Sequence, residues 1–394
     1  MAPADRYNNT LERNTLRIFM KSKLALYTAL VLALAPHAVA HAEQPRTYTA
    51  AKVEGGELRF IGDIPVAILT GTPEQIGRQH AALLKDAGQA AIEFPKKFAA
   101  EFGLEAFWPF MAQAGRTLIL AAPERHQQEL AAVVQHSGLG DGHLAVANTL
   151  LELRRIGCSS MIVEPARSAT GGPLFGRNLD FPTLGELHKY SLLFVYRPEG
   201  KHAFASVGFP GLVGVISGMN DAGLAVATND VEQSADGSRK FNPQGTPLAF
   251  VFRRLLEECT TVDEAEQLLK SVTPTTWMNL AVCDANGGAV FEITPDNIAR
   301  RDDDQGLIRC TNHFRAEGLS VGETCGRYDA LGELAAATLA VPDIHARLHA
   351  ANQERLTLQT MIFEPRELVL HLALGQPPSS DDPLTRIELA PLFK

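Results

Sequence analysis

Arg154-Arg155-Ile156-Gly157-Cys158-Ser159-Ser160 marks the point where the chain changes texture. Upstream, from about Thr72 to Arg155, apolar residues recur at three- and four-residue intervals, as at Ile76, Leu83, Leu84, Ala87 and Ala91 and again at Leu130, Val133 and Val134. That is the spacing of one helix face. Thr72-Pro73-Glu74-Gln75 reads as a helix start, with a capping residue, proline at the first position and acid in the first turn. Downstream, the short runs 192–196, 202–207, 213–216 and 224–227 are separated by Gly, Pro and Asn-Asp turns and read as strands. Asn220-Asp221-Ala222-Gly223 reads as a hairpin turn, as does Asp284-Ala285-Asn286-Gly287-Gly288 between runs 280–283 and 289–293. A helical pair, 247–259 and 262–271, interrupts the strands; helix resumes around 328–358 and a strand-like run covers 368–374. Short strands with meander turns, and helices in blocks, predict packed antiparallel sheets covered by helices in one catalytic domain.

The chain has 394 residues, with 36 Lys+Arg against 45 Asp+Glu and a net charge of -9. Nucleic-acid binding needs a basic face, so no nucleic-acid partner is expected. With 45% hydrophobic and 21% charged residues the composition is globular. The long apolar stretch LALYTALVLALA (24–35) follows Lys21 and Lys23 and precedes Ala38-Val39-Ala40 and Ala40-His41-Ala42. This is the pattern of a secretory signal peptide, too short for the ~20 residues of a membrane-spanning helix. Residues 1–42 are therefore expected to be a signal-peptide region, with Met20 as an alternative start, and the mature protein to be periplasmic or secreted and bacterial. No membrane span is expected. An oxidising compartment permits disulfides among Cys259, Cys283, Cys310 and Cys325; the sequence leaves their pairing open, and the oligomeric state with it.

Nineteen residues after Cys158 stands Arg177, in Gly176-Arg177-Asn178-Leu179-Asp180-Phe181-Pro182. The two pieces together resemble the cysteine N-terminal-nucleophile (Ntn) hydrolases: choloylglycine hydrolase, penicillin V acylase, acid ceramidase and N-acylethanolamine amidase. The isopenicillin N acyltransferase-like (acyl-CoA:6-aminopenicillanic-acid acyltransferase) group is nearest in layout. Gly218-Met219-Asn220-Asp221-Ala222-Gly223-Leu224, followed by Thr228-Asn229, is similar to the G-M-N-x-x-G-L…N segment of bile-salt hydrolases. Cys310-Thr311-Asn312-His313-Phe314 resembles the T-N segment that supplies an oxyanion-hole asparagine, and Arg327, in Gly326-Arg327-Tyr328, sits where the family has its second active-site arginine. The motifs keep the family's order between residues 157 and 328, and the layout fits roughly 72–374.

The resemblance implies an α+β fold, the four-layer αββα Ntn sandwich. It implies a precursor that cuts itself before Cys158, leaving a helix-rich pro-part (43–157) and a catalytic piece (158–394). It implies hydrolysis or acyl transfer at the linear amide of a small N-acyl compound with an apolar acyl group. The site residues it assigns are Cys158, Arg177, Asp180, Asn229, Asn312 and Arg327. The Cys158–Arg177 interval is longer than in bile-salt hydrolases, which implies a longer first hairpin. Candidate walls for the acyl group are Phe181, Phe209-Pro210 and Trp277-Met278, although aromatic residues of this kind are commonly plain core.

The chemistry of these residue types points the same way. A chain-terminal cysteine carries nucleophile and base together, because its free α-amine, with pKa ≈ 7.7–8.0, takes the thiol proton near neutrality. Gly157, lacking a Cβ, is expected to permit a strained backbone and thiol attack on its own carbonyl. The Asp180 carboxylate suits the new ammonium, the Arg177 guanidinium favours thiolate, and Asn312 and Asn229 offer amide donors for an oxyanion. Each also has an ordinary alternative: buried cysteines are often inert, Arg–Asp pairs often lie on surfaces, and Asn often serves turns.

Rival motifs are weaker. Gly318-Leu319-Ser320-Val321-Gly322, with Asp343 and His345 downstream, matches G-x-S-x-G but lacks the apolar strand a nucleophile elbow needs. A serine hydrolase using Ser320 is the alternative enzyme, and a secreted Ntn-fold binding protein without catalysis is the alternative class. Gly138-Leu139-Gly140-Asp141-Gly142 lacks the strand and the full pattern of a phosphate loop. Cys158 with His313 lacks the local signatures of a papain-like dyad. No H-E-x-x-H or paired-cysteine spacing occurs, so neither metal nor cofactor is expected.

Overall fold

The computed structural model describes residues 47–153, 157–302, 305–333 and 337–394. The expected signal-peptide region 1–42 lies outside these residues, as do Arg154, Arg155 and Ile156. The described chain opens on three strands that helical periodicity does not reveal, β1 (Ala51–Val53), β2 (Gly56–Ile61) and β3 (Ile64–Gly71). Seven helices follow: α1 (Pro73–Leu83), α2 (Lys85–Ala91), α3 (Phe94–Glu101), α4 (Trp108–Ile119), α5 (Glu124–Ser137), α6 (Asp141–Asn148) and α7 (Leu150–Leu153). Thr72 caps α1 as its sequence requires. Its hydroxyl accepts from the Gln75 N–H at 3.3 Å, and the Gln75 side chain accepts from the Thr72 N–H at 2.8 Å, closing a capping box.

Strand structure returns at β4 (Gly157–Val163) and continues through β5 (Leu174–Asp180), β6 (Leu192–Pro198), β7 (Phe204–Gly208), β8 (Ser217–Asn220) and β9 (Ala225–Asp230). The helices α8 (Leu248–Glu258) and α9 (Val262–Lys270) come next, then β10 (Met278–Cys283), β11 (Gly288–Ile293), β12 (Ile298–Arg301) and β13 (Leu307–Cys310). After α10 (Gly326–Gly332) and α11 (Val341–Ala350), the chain ends on β14 (Thr357–Glu364), β15 (Val369–Leu374) and β16 (Thr385–Glu388). Both expected hairpin turns form. At the first, Gly223 has φ +86°, the left-handed region that suits glycine. The run 213–216 is not a strand. Its Val213 and Gly214 N–H groups donate to Asn148 Oδ1 and the Val215 N–H to the Ala249 carbonyl, so the α6 and α8 helices take the place of a ladder.

Two sheets result. The first has ten strands in the order β1-β2-β3-β6-β7-β8-β9-β10-β11-β12, and the second six in the order β13-β4-β5-β14-β15-β16. Among the described strands only β3 and β6 run parallel. Strand alternation sorts the apolar residues into layers. Leu69, Phe194, Tyr196, Val226 and Phe291 of the first sheet pack on Ile76 of α1, Leu255 of α8 and Leu269 of α9. Val66, Val195, Ala227 and Val290 on its other face meet Ile162, Phe175, Met361 and Phe363 of the second sheet. Beyond, Met161, Leu174 and Ile362 pack on Leu331 of α10 and on Ile344 and Leu348 of α11. Helices, sheet, sheet, helices: the four-layer αββα sandwich is the fold. Among the described residues no helix is long and apolar enough to cross a membrane.

A buried charge network ties the helices before residue 157 to those after it. Arg253 of α8 donates to both carboxylate oxygens of Glu129 on α5 (2.9 and 2.6 Å) and to Glu257 (2.9 Å), which in turn meets His126 of α5 at 2.9 Å. Removing one partner from such a network typically costs about 3–5 kcal/mol, because a buried charge is left alone.

Candidate active site

The site grows from the β4–β5 pairing, in which Gly157 faces Asp180, Cys158 faces Leu179 and Ser160 faces Arg177. Alternation places Cys158 and Ser160 on the same face as Ile162, and Arg177 on that of Phe175, which is the face towards the first sheet. Arg177 is fully buried and bridges the sheets. Its Nη1 donates to the Thr228 carbonyl of β9 at 2.9 Å and stands 3.5 Å from Cys158 Sγ. Its Nε and Nη2 have no partner among the described residues. The guanidinium thus sets a fixed positive charge beside the thiol. Burial pushes the Cys158 thiol up to about 11, with Arg177 pulling it back and Asp180 adding to the rise.

Around the Gly157–Cys158 peptide the other expected residues converge. The Cys158 N–H donates to Asn312 Oδ1 at 3.0 Å. Arg327, from the start of α10, donates through Nη1 to the Cys158 carbonyl and to Ser159 Oγ (3.2 Å), and through Nη2 to Asn312 Oδ1 (2.8 Å). Asp180, on the other face of β5, accepts from the Thr357 hydroxyl and from Gln353 Nε2 (2.7 Å), with Arg327 at 3.9 Å. Burial raises its carboxyl above the usual range, against those two hydrogen bonds and the charges of Arg327 and Arg177. Asn229 of β9 accepts from the Ser160 hydroxyl at 3.0 Å.

All six residues singled out in the sequence thus gather around the start of β4, Asp180 on one face of the second sheet and Cys158 and Arg177 on the other. Two details differ from expectation. Asn312 presents its acceptor to Cys158, because an intact peptide offers an N–H that needs one, and its Nδ2 donates to the Asp230 carbonyl at 2.8 Å. Gly157 is not in the left-handed region. It is small because a Cβ would overlap Gln353 Nε2 and stand 3.1 Å from Asp180 Cβ. Gln353, Thr357, Ser160 and Asn279 belong to the surroundings of the site, yet no local pattern marks them.

Two spaces lie beside the β4–β5 pair, one reaching Gly157 and Asp180 and the other Leu179. A polar cleft of about 570 Å³ is lined by Gly157, Asp180, Asp230, Asn312, Arg327 and Gln353, among others. An apolar cavity of about 70 Å³ is lined by Phe181, Phe209 and Pro210 together with Leu151, Leu179 and Ala147. Cys158 belongs to the same apolar cluster as Leu151, Leu179 and Phe181. Trp277 and Met278 do not reach this cavity. Trp277 packs with Val231, Phe314 and Leu319 and donates its indole N–H to Ser238 (2.9 Å), while Met278 lies in the main core.

The rival constellations do not assemble. Ser320 follows a turn rather than a strand, and its hydroxyl accepts from the Gly322 N–H at 3.1 Å. Asp343 accepts from the Ala340 N–H as part of the α11 start. His313 pairs with Glu323 at 2.7 Å, and burial lowers its pKa. All five cysteines carry free thiols. Among the described residues no group of three His, Cys, Asp or Glu is placed to hold a metal.

The family model described as acyl-coenzyme A:6-aminopenicillanic acid acyl-transferase matches residues 167–379, more than half of the chain. An uncharacterized protein of Archaeoglobus fulgidus is 28% identical over 152 residues, 37% of this chain and 24% of that one, so the chain spans about a quarter of this relative's length. Similar solved structures include the conjugated bile acid hydrolase of Clostridium perfringens, at 15% identity and TM-score 0.44, covering 60% of this chain and 94% of that chain. The Caenorhabditis elegans N-acylethanolamine-hydrolyzing acid amidase ortholog has 17% identity and TM-score 0.41, covering 57% and 96%. Penicillin V acylase of Agrobacterium tumefaciens has 12% identity and TM-score 0.41, covering 56% and 84%.

Proposed function

Because the chain belongs to the acyl-coenzyme A:6-aminopenicillanic acid acyl-transferase family, we propose that it is a cysteine N-terminal-nucleophile amidase or acyltransferase. It activates itself by cutting before Cys158 and then acts on the linear amide of N-acyl compounds. One observation carries this reading: the Gly157–Cys158 junction has its thiol against Arg177, its N–H on Asn312 and the following carbonyl on Arg327.

In the first reaction Cys158 Sγ adds to the Gly157 carbonyl carbon and the C–N bond breaks. The nitrogen takes up the thiol proton and becomes the α-amine. Water then cleaves the thioester, leaving a carboxylate at Gly157 and a free thiol. For this first attack burial works against the thiolate, and the Arg177 guanidinium 3.5 Å from Sγ works for it. The new amine lies where Asn312 Oδ1 accepted the peptide N–H, close to the Asp180 carboxylate that Thr357 and Gln353 orient. It takes the thiol proton near neutrality.

In turnover the thiolate, favoured by Arg177, adds to the acyl carbonyl. The ammonium returns its proton to the departing amine, and water or an acceptor amine resolves the thioester. The apolar cavity beside Leu179 suits an apolar acyl group, and the polar cleft suits the amine half. Residues 43–157 and 158–394 are then the two pieces, held together by the Glu129–Arg253–Glu257–His126 network.

The test is intact mass, N-terminal sequencing and turnover of a panel of N-acyl amides for the wild type, Cys158→Ala and Ser320→Ala. The expected result is a fragment beginning Cys158-Ser159-Ser160 and turnover in the wild type and Ser320→Ala, with neither in a folded Cys158→Ala. Active protein with an uncut Gly157–Cys158 bond would falsify the mechanism. Cut protein without turnover would favour a binding protein.

A further inference from the structure

We propose that Asn279 and Glu292 are positioning residues for Asn312: a cross-strand pair on the first sheet that fixes, from both ends, the loop carrying Asn312 out of the second. The inference rests on the reading of Cys158 and Asn312 given above.

The second sheet releases the chain at Cys310, where β13 ends. The backbone groups of residues 311–316 therefore lack a ladder and need other partners. Asn279 and Glu292 supply them. They face each other across β10 and β11 and are fully buried. Alternation puts them on the same face as Ala281 and Val290, the face towards the second sheet. Asn279 Nδ2 donates to the Thr311 and His313 carbonyls, each at 3.0 Å, so it grips the chain on both sides of Asn312. The Glu292 carboxylate accepts from the Arg315 N–H (2.9 Å to Oε1 and 2.8 Å to Oε2) and from the Ala316 N–H (2.8 Å), and Arg301 Nε steadies it at 3.1 Å.

Among the described residues Asn279 Oδ1 has no hydrogen-bond partner although it is buried. An uncompensated acceptor in a core is costly, and an aliphatic residue such as neighbouring Ala281 would avoid it. The two donors account for the asparagine. What they hold in place is Asn312 Oδ1, 3.0 Å from the Cys158 nitrogen and 2.8 Å from Arg327 Nη2. Misplacement of such a group by about 1 Å costs on the order of 10² in rate.

Asn279→Asp keeps the side chain's shape and replaces both donors by acceptors facing carbonyls. The experiment is a double-mutant cycle with Asn312→Ala, reading the rate of self-cleavage, kcat and KM for an N-acyl amide, and thermal unfolding. Asn279→Asp is expected to slow self-cleavage and kcat roughly 10- to 100-fold with KM little changed. In the Asn312→Ala background it should add no further loss, since its effect runs through Asn312. Glu292→Gln, which keeps one acceptor, should show a smaller loss of the same pattern. If Asn279→Asp does not fold, Asn279→Ala serves the same cycle. Losses that multiply in the double variant, or an effect on KM alone, would overturn the inference while leaving Asn312 in its role. Wild-type rates in Asn312→Ala would overturn the reading of Asn312 and this inference with it.

Discussion

Replacing Gly157 by alanine adds one methyl group at the bond proposed to be cut. The new Cβ would overlap Gln353 Nε2 and stand 3.1 Å from Asp180 Cβ. To regain ordinary van der Waals contact, Gln353 Nε2 must retreat by upwards of about 1.2 Å. It is not free to do so without loss, because the same nitrogen donates to Asp180 Oδ2 at 2.7 Å, and a bond stretched that far no longer qualifies. A hydrogen bond to a charged group contributes about 1.5–3 kcal/mol, so the precursor should lose roughly that much stability. The effect on the reaction should be larger than the effect on the fold. If Gln353 holds its place, the Gly157 carbonyl shifts away from Cys158 Sγ instead, and about 1 Å of misplacement costs on the order of 10² in rate. The assay is a time course of intact mass from freshly purified precursor, with thermal unfolding in parallel. Gly157→Ala should accumulate uncut chain while remaining folded. The double variant Gly157→Ala/Gln353→Ala should cut as fast as Gln353→Ala, since the smaller side chain makes the room. Cutting of Gly157→Ala at the wild-type rate would refute the steric argument, as would a double variant slower than either single one.

Asn312→Ala should lower kcat by about 10²–10³ with little change in KM; a pure KM effect would move Asn312 from the reacting centre to substrate binding. Across N-acyl amides of one amine, kcat/KM should climb with acyl length by about 0.8 kcal/mol per buried methylene, roughly fourfold each, until the cavity is full. Ala147→Leu, which narrows that cavity from α6, should penalise long chains and spare short ones; an unchanged length profile would place the acyl group elsewhere. His80 is held neutral, its pKa lowered to about 3 by burial and then by Arg253, while its Nε2 accepts from the Gly211 N–H at 2.8 Å. The unfolded chain binds a proton at this residue below about 6.5 that the folded chain refuses down to about 3. Stability should therefore fall as pH drops through that window, by at most about 1.4 kcal/mol per pH unit from this group. His80→Gln should flatten the Tm-against-pH curve between pH 7 and 5; an identical slope would show that His80 is not the linked group.

Much of the site was legible because its centre is local. Cys158, Arg177 and Asp180 lie on the two strands of one hairpin, and strand alternation alone assigns Cys158 and Arg177 to one face and Asp180 to the other. Helix starts and hairpin turns were legible for the same reason: Thr72 and Gln75, or Asn220 and Gly223, are within a few residues of the groups they satisfy. The strands β1–β3 escaped because β3, an almost continuous apolar run buried on both faces and paired in parallel with β6, shows no alternation to read. The run 213–216 misled because its composition is that of a strand, while its N–H groups are claimed by Asn148 and Ala249.

The sequence by itself determined which atoms are present for the chemistry, in what order along the chain, and with which short-range period they repeat. Only the tertiary structure decided which of them meet. Gln353 and Thr357 orient Asp180 from more than 170 residues away, Asn279 grips the Asn312 loop across 32 and 34, and Arg253 finds Glu129 across 124. Such pairs leave no periodic trace. Each is a single side chain whose partner is set by how two sheets and two helical layers close on one another, and the same packing that buries them makes their hydrogen bonds obligatory.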